Sequence, residues 1–305
     1  METIGISGGT GFIGTSLATL LDKKGYNVII FCREVKRIIN NSHFAYWDPE
    51  NEDCDINALS EINIMIHLAG AGIADKRWTA QRKKEIADSR IKGTRFLISQ
   101  LKQNAPACKT FIAASAIGYY GPDRGDLAPY HEDTEHYSDF LANTCALWEK
   151  ESLQAKSFAR TVIFRFGIVL GKEKGAFPKF YDPVKWGLMP ILGSGKQVYS
   201  WIHINDLIAM LYFAIAHTGM QGIFNAVSPQ PVTNKELMKA LAKARGGIKL
   251  PVYVPASALQ LLLGEMSTEV LKSCTVSADK ILGSGFTFQY PGLDSAVSDL
   301  ATPIN

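Results

Sequence analysis

Close to its start the chain reads Ile4-Gly5-Ile6-Ser7-Gly8-Gly9-Thr10-Gly11-Phe12-Ile13-Gly14, an apolar strand that runs straight into glycines three residues apart. Leu17, Leu20 and Leu21 then recur at helical spacing. A strand, a glycine turn and a helix in this order constrain the fold more than any other stretch. At such a turn Gly8 permits the tight reversal, Gly11 lets backbone N–H groups approach a pyrophosphate, and Gly14 lets the helix pack close to the strand. The helix N-terminus adds unpaired donors and partial positive charge. The expected ligand is a dinucleotide, with Phe12 and Ile13 beside it in the turn.

Further strands follow at intervals that fit helical connections. Asn27–Phe31 is a short apolar run, Ile62–Gly70 another, and Lys109–Ser115 and Arg160–Phe166 complete a set of five. Helical periodicity covers about 79–102 and 141–153. Alternation of this kind implies βαβ units, a mostly parallel sheet and right-handed crossovers. Ligands then bind beyond the carboxyl ends of the strands, where strand order reverses. From Gly171 glycines and prolines interrupt an apolar and basic stretch, which reads as a long ordered loop region lined with aromatics, either facing a cleft or forming a packing lobe. A helix over 206–217, a strand over 223–227 and a helix over 233–245 come next, with Thr233 and Glu236 spaced as a capping box. A small αβ element ends the chain.

With 305 residues, 47% hydrophobic and 20% charged, the chain is expected to be globular, and a net charge of +3 does not point to nucleic acid or membrane as partner. A small-molecule ligand is the default. Five cysteines without CxxC spacing suggest buried thiols rather than disulfides or zinc. With a core strand at the very start and no apolar run of spanning length, the expected location is the cytoplasm.

An acidic residue at the end of the second strand holds the ribose of NAD, whereas an arginine there accommodates the 2′-phosphate of NADP. Here the sequence is Phe31-Cys32-Arg33-Glu34, so Arg33 points to NADP, with Glu34 as the counter-argument.

The chain resembles the extended short-chain dehydrogenase/reductases of the NAD(P)-dependent epimerase/dehydratase superfamily, in particular the atypical "epimerase family protein" group, some members of which are labelled sugar-nucleotide epimerases. The matching residues are Thr10–Gly14, His67-Leu68-Ala69-Gly70 followed by Ile73–Trp78, Ser89-Arg90-Ile91, Ser115–Gly121, Arg165–Gly171, Ser200–Leu207, Gly264-Glu265-Met266 and Gly285–Pro291. The resemblance implies an α/β fold with a Rossmann-type doubly wound parallel sheet, bound NADP(H) and a smaller C-terminal αβ substrate lobe. Residues 1–170, joined by 200–228, would form the cofactor domain. Residues 171–305, with a small unit over 250–297, would form the lobe. A homodimer is common in the superfamily. Leu68, Ala69, Gly70 and Arg90 fall at cofactor positions of the motif, and Arg90 would reach a phosphate or else pair with Asp88 or Glu85.

Relatives with known chemistry use a serine with a tyrosine and lysine spaced YxxxK, and often a glutamate four residues beyond the lysine. A lysine cation lowers the tyrosine pKa so that phenolate can take a proton while hydride moves. Ser115 matches the serine. Aligning on Glu149 places Leu141 and Cys145 where the pair should be, so the standard dyad is absent. Three readings remain open: an enzyme with a relocated proton donor, Tyr119 or Tyr120; an NADP(H) sensor without chemistry; or an interaction role. Cys145 reads as a packed thiol.

Lys76 and Trp78, after the third strand's glycine turn, are candidate substrate contacts, as are Trp201 and His203, which alternate with isoleucines and so share one face of a strand. For His203 the competing reading is a structural histidine beside Asp206. His131, Glu132, Asp133, Glu135 and His136 lack paired metal-ligand spacing and read as a solvated loop, so no metal is expected.

Overall fold

Short runs of β-branched and aromatic residues, buried on both faces, are what a parallel sheet covered by helices requires. A computed structural model describes residues 2–34, 42–125 and 128–302. β1 (Thr3–Ser7), α1 (Phe12–Lys23), β2 (Asn27–Cys32), β3 (His43–Asp48), β4 (Asp53–Cys54), α2 (Ile56–Ser60) and β5 (Ile64–His67) come first. α3 (Ala80–Asn104), β6 (Thr110–Ala116), α4 (Phe140–Ser152) and β7 (Arg160–Phe166) follow, with a 3-10 turn over Ile117–Tyr120. The middle of the chain forms β8 (Ile168–Leu170), α5 (Phe177–Lys185), β9 (Leu188–Leu192), β10 (Val198–Tyr199), β11 (Trp201–His203), α6 (Ile204–Ala216) and β12 (Gly222–Ala226). β13 (Val232–Thr233), α7 (Asn234–Arg245), β14 (Leu250–Val254), α8 (Ala256–Leu263), α9 (Ser267–Leu271), α10 (Asp279–Gly283) and α11 (Leu293–Ala301) complete it.

The central sheet has eight strands in the order β12-β7-β6-β5-β1-β2-β3-β4. All neighbours pair in parallel except β3 with β4. Strand order reverses at β1, whose two partners are β2 and β5. The crevice where a doubly wound sheet binds its ligand therefore opens beyond Ser7 and His67. Alternate residues feed two cores: Ile4, Ile6, Ile30, Ile66 and Phe164 pack with α1 and α6, while Phe31, Met65, Phe111 and Ile163 pack with α3.

Two expectations are corrected. The stretch read as loop after Gly171 contains α5 and β9: Pro178 lies in the first turn of α5, where its missing N–H costs nothing, and Pro183 is tolerated within this short helix. β3 was not expected, because His43-Phe-Ala-Tyr-Trp-Asp48 is a mixed aromatic run rather than an aliphatic one. A third core, with Phe177, Tyr181, Ile191, Trp201, Leu237 and Val297 among its members, belongs to this later part of the chain. The capping box of α7 is formed: Glu236 N–H donates to Thr233 Oγ1 at 3.2 Å and Thr233 N–H to Glu236 Oε2 at 2.7 Å.

Candidate cofactor and catalytic site

At the β1–α1 turn backbone lies directly on backbone. Gly8 has φ +76°, and a Cβ there would sit 2.8 Å from the Ala69 nitrogen in the turn after β5. A Cβ at Gly14 would overlap the Gly8 carbonyl and lie 2.6 Å from Gly9 Cα. Gly11 caps α1 without a side-chain hydrogen bond, and no acidic residue occupies the first turn. The N–H groups of Phe12, Ile13 and Gly14, at the first turn of α1, thus have no helical acceptor. This cradle fits a pyrophosphate. The Phe12 ring packs against Gly175, where a Cβ would be 3.1 Å away, and Ile13 packs on the sheet core.

The second wall is the turn after β5. Leu68 N–H donates to the Ser7 carbonyl at 2.9 Å, which ties this turn to the first. Beneath it the His67 ring is fully buried, with Nδ1 2.5 Å from Ser7 Oγ and Nε2 2.8 Å from Thr94 Oγ1. Burial, helped by the Arg90 charge, depresses the His67 pKa to about 3. The imidazole is neutral and acts as a fixed donor–acceptor link. Arg90, 9% exposed, donates to the carbonyls of Ala71 at 3.0 Å and Ile86 at 3.1 Å, and crowds the space a Gly70 Cβ would need. The expected alternative, an ion pair with Asp88 or Glu85, is not formed: Asp88 binds Lys84 and Lys92, and Glu85 binds Arg82. Burial lowers the Arg90 pKa, and no carboxylate pairs with it among the described residues. Arg33 stands at the end of β2, exposed, 3.5 Å from Glu50.

Ser115 is the penultimate residue of β6 and its hydroxyl donates to Glu149 Oε1 at 2.6 Å. That carboxylate also holds Arg165 through two bonds of 2.8 Å, and Arg165 is 1% exposed. Burial works against the Arg165 charge, but the Glu149 carboxylate and Tyr120 outweigh it and hold the guanidinium above its ordinary pKa. Arg165 in turn donates to Tyr120 Oη at 2.8 Å, and Tyr120 donates to Asn225 Oδ1 at 2.7 Å. Burial pushes the Tyr120 phenol well above its usual pKa. Tyr120 is thus a member of a buried network with Arg165 and Asn225. Tyr119, half-buried, presents its ring to Arg165, whose guanidinium carbon lies 3.5 Å from the ring centroid. Its hydroxyl makes no hydrogen bond among the described residues. Leu141 and Cys145 are buried on α4, and burial pushes the Cys145 thiol up to about 12.

Sequence reasoning missed that Glu149, Arg165, Asn225 and Glu132 act together. An arginine inside the apolar run Arg160–Phe166 was the available signal, since a buried cation demands a partner. Glu132, expected in a solvated loop, instead accepts the Asn225 backbone N–H at 2.8 Å.

Three substrate candidates are held by contacts within the protein. Trp78 sits in an apolar cluster with Ile86 and Leu141 and donates Nε1–H to the Ile73 carbonyl at 2.9 Å. Trp201, 1% exposed, donates to the Gln230 carbonyl at 2.9 Å within the third core. His203 caps α6, its Nδ1 accepting from Asn205 N–H at 3.1 Å, while its ring stacks on Tyr290 at 3.9 Å. With Nδ1 an acceptor, the proton of the neutral ring lies on Nε2, 3.2 Å from Asp299 Oδ2. Asp206, expected beside His203, accepts the N–H groups of Gln289 and Tyr290. Lys76 is exposed. Among the described residues, no group of three or more His, Cys, Asp or Glu side chains could hold a metal ion, and no helix is long and apolar enough to cross a membrane.

Comparison with known proteins agrees with this fold. Epimerase family protein YfhF of Bacillus subtilis (strain 168) is 36% identical over 300 residues, covering 97% of both chains, and an epimerase family protein of Staphylococcus aureus (strain MRSA252) is 36% identical over 302. The crystal structure of human epimerase family protein SDR39U1 (isoform 2) with NADPH superposes with a TM-score of 0.88 at 29% identity, over 98% of this chain and 99% of that one. The UDP-glucose 4-epimerase of Thermus thermophilus in complex with NAD, at 16% identity, shares the fold with a TM-score of 0.78, over 99% and 100%. The model of the NAD dependent epimerase/dehydratase family matches residues 4–226, and that of a domain of unknown function, DUF1731, matches 254–300. With the glycine cradle, the reversal at β1 and these matches in place, the chain belongs to the NAD dependent epimerase/dehydratase family.

Proposed function

We propose that this protein binds NADP(H) in the crevice beyond β1 and β5 and that Tyr119 carries the proton in a hydride-transfer reaction on a nucleotide-sugar or carbonyl substrate. On this reading residues 1–170 with 200–228 hold the cofactor, and 171–305, including 250–297, hold the substrate. Gly8, Gly11 and Gly14 keep the turn open to the pyrophosphate, Arg90 supplies behind Gly70 a cation without a carboxylate partner among the described residues, and Arg33 meets the 2′-phosphate. The NADPH bound to the human relative supports the choice of cofactor. When bound, NADP(H) exchanges hydride at its nicotinamide.

One observation carries the assignment to Tyr119. Of the three candidate hydroxyls, Ser115 is committed to Glu149 and Tyr120 to Asn225, which leaves Tyr119 alone without a protein partner among the described residues. Because Ser115 donates its proton to Glu149, its oxygen offers lone pairs to the crevice and accepts from a ligand donor.

A second reading, an NADP(H) sensor without turnover, is favoured by Leu141 and Cys145 in place of the dyad. Turnover assays with NADPH and carbonyl or nucleotide-sugar substrates separate the two. Tyr119→Phe should lower turnover by about 10²-fold or more with NADPH affinity unchanged. Tight NADPH binding without any turnover in the parent assigns the sensor role.

A further inference from the structure

We propose that the end of the later lobe where β9 and β14 begin is a docking surface for an anionic lipid bilayer. The two strands run in parallel with Leu188 opposite Leu250, so Lys185-Trp186 and Ile248-Lys249 lead into the same end of the pair. Leu250 N–H donates to the Gly187 carbonyl at 2.9 Å and holds the two leads together. Trp186 is 85% exposed, Ile248 97% and Leu250 63%. The opposite face of β9, with Met189 and Ile191, fills the third core, so burial there leaves these side chains outside. Tight turns precede both strands: Gly187 has φ +84°, and Gly246 and Gly247 have φ +70° and +71°.

The stretch of chain that carries this apolar end is rich in cations, one of which, Lys243, meets Asp294 of α11 at 3.8 Å. Residues 171–254 contain ten of the chain's 32 lysines and arginines but only four of its 29 acidic residues, a concentration the net charge of +3 conceals. Lys185, which also meets Asp182 at 2.7 Å, and Lys249 flank the apolar side chains. Arg245 at the end of α7 has no carboxylate at ion-pair distance among the described residues. Projecting tryptophan and aliphatic side chains within a basic rim match the two components of interfacial binding, apolar burial below the headgroups and attraction to anionic lipid.

A second copy of the chain fits poorly, since it would bring the same positive surface against itself. Leu250 and Val254 turn backbone groups towards β9, so alternation leaves Pro251 facing outwards without an N–H, which blunts the strand edge for pairing.

The test is flotation of the full chain with phosphatidylcholine vesicles with and without phosphatidylglycerol. Trp47, Trp78, Trp148 and Trp201 are buried, so Trp186 is a built-in fluorescence reporter. The expected result is binding only when phosphatidylglycerol is present, release at high salt, a blue shift on binding, and at least a ~10-fold loss in Trp186→Ser/Ile248→Ser and in Lys249→Glu. Unchanged NADPH affinity and melting temperature in these variants confirm folding. No binding, equal binding to neutral vesicles, or parental binding by the variants would overturn the proposal. So would a dimer that the Trp186→Ser/Ile248→Ser variant breaks, or an acidic protein that occupies the surface in place of lipid.

Discussion

Removing the charge of Glu149 while keeping its shape should be among the most damaging single changes available. Arg165 is 1% exposed, and its carboxylate bonds all come from Glu149. Glu149→Gln leaves the guanidinium buried without a counter-charge, and breaking a buried pair in this way costs about 3–5 kcal/mol. Unfolding entropy near ~2.1 cal/mol/K per residue gives roughly 0.6 kcal/mol/K for a chain of this size, so the melting temperature should fall by about 5–8 °C. The charge-free double variant Glu149→Leu/Arg165→Met removes both ions together and should recover to within about 2 kcal/mol of the parent, because the attraction within a buried pair is largely offset by the desolvation of its two ions. Thermal and urea unfolding of the parent, Glu149→Gln, and the three corners Glu149→Leu, Arg165→Met and Glu149→Leu/Arg165→Met close the cycle. Parental stability in Glu149→Gln, or a double variant that loses the sum of the two single losses, would refute the reasoning.

Two shorter predictions concern buried titratable groups. The folded-state pKa of His67, about 3, lies below its ordinary value of 6.5, so the unfolded chain binds the extra proton between these limits. Stability should therefore be fully present above about pH 6.5 and fall as pH drops towards 3, and in His67→Gln unfolding curves across that window should flatten. Cys145, with its thiol pushed up to about 12 by burial, should resist alkylation in the native protein near neutral pH and react only on unfolding. Mass spectrometry of iodoacetamide-treated protein reads this directly, and rapid native labelling of Cys145 would contradict its placement.

The sheet was legible where aliphatic runs are short and bounded: Arg160–Phe166 has the expected limits, and Asn27–Phe31 gains only Cys32. It was not legible at β3, where aromatic side chains serve both faces, nor at α5, where proline reads as a breaker although the first helical turn accepts it. Within the site, the glycine positions follow from local backbone geometry and could be read from spacing. The fate of each hydroxyl could not, because it depends on partners far along the chain: Tyr120 meets Asn225, and Ser115 meets Glu149. The packing of Trp78, Trp201 and His203 was not legible for the same reason, since the elements that bury them lie elsewhere in the sequence.

Calorimetric titration of NADPH and NADH into the parent and Gly14→Ala tests the central claim most directly. The added Cβ would overlap the Gly8 carbonyl and close the cradle. NADPH is expected to bind about tenfold or more tighter than NADH, through the charge-assisted contact of Arg33 with the 2′-phosphate, and Gly14→Ala is expected to lose binding with the fold retained. Parental NADPH affinity in Gly14→Ala, or no binding of either dinucleotide to the parent, would contradict it.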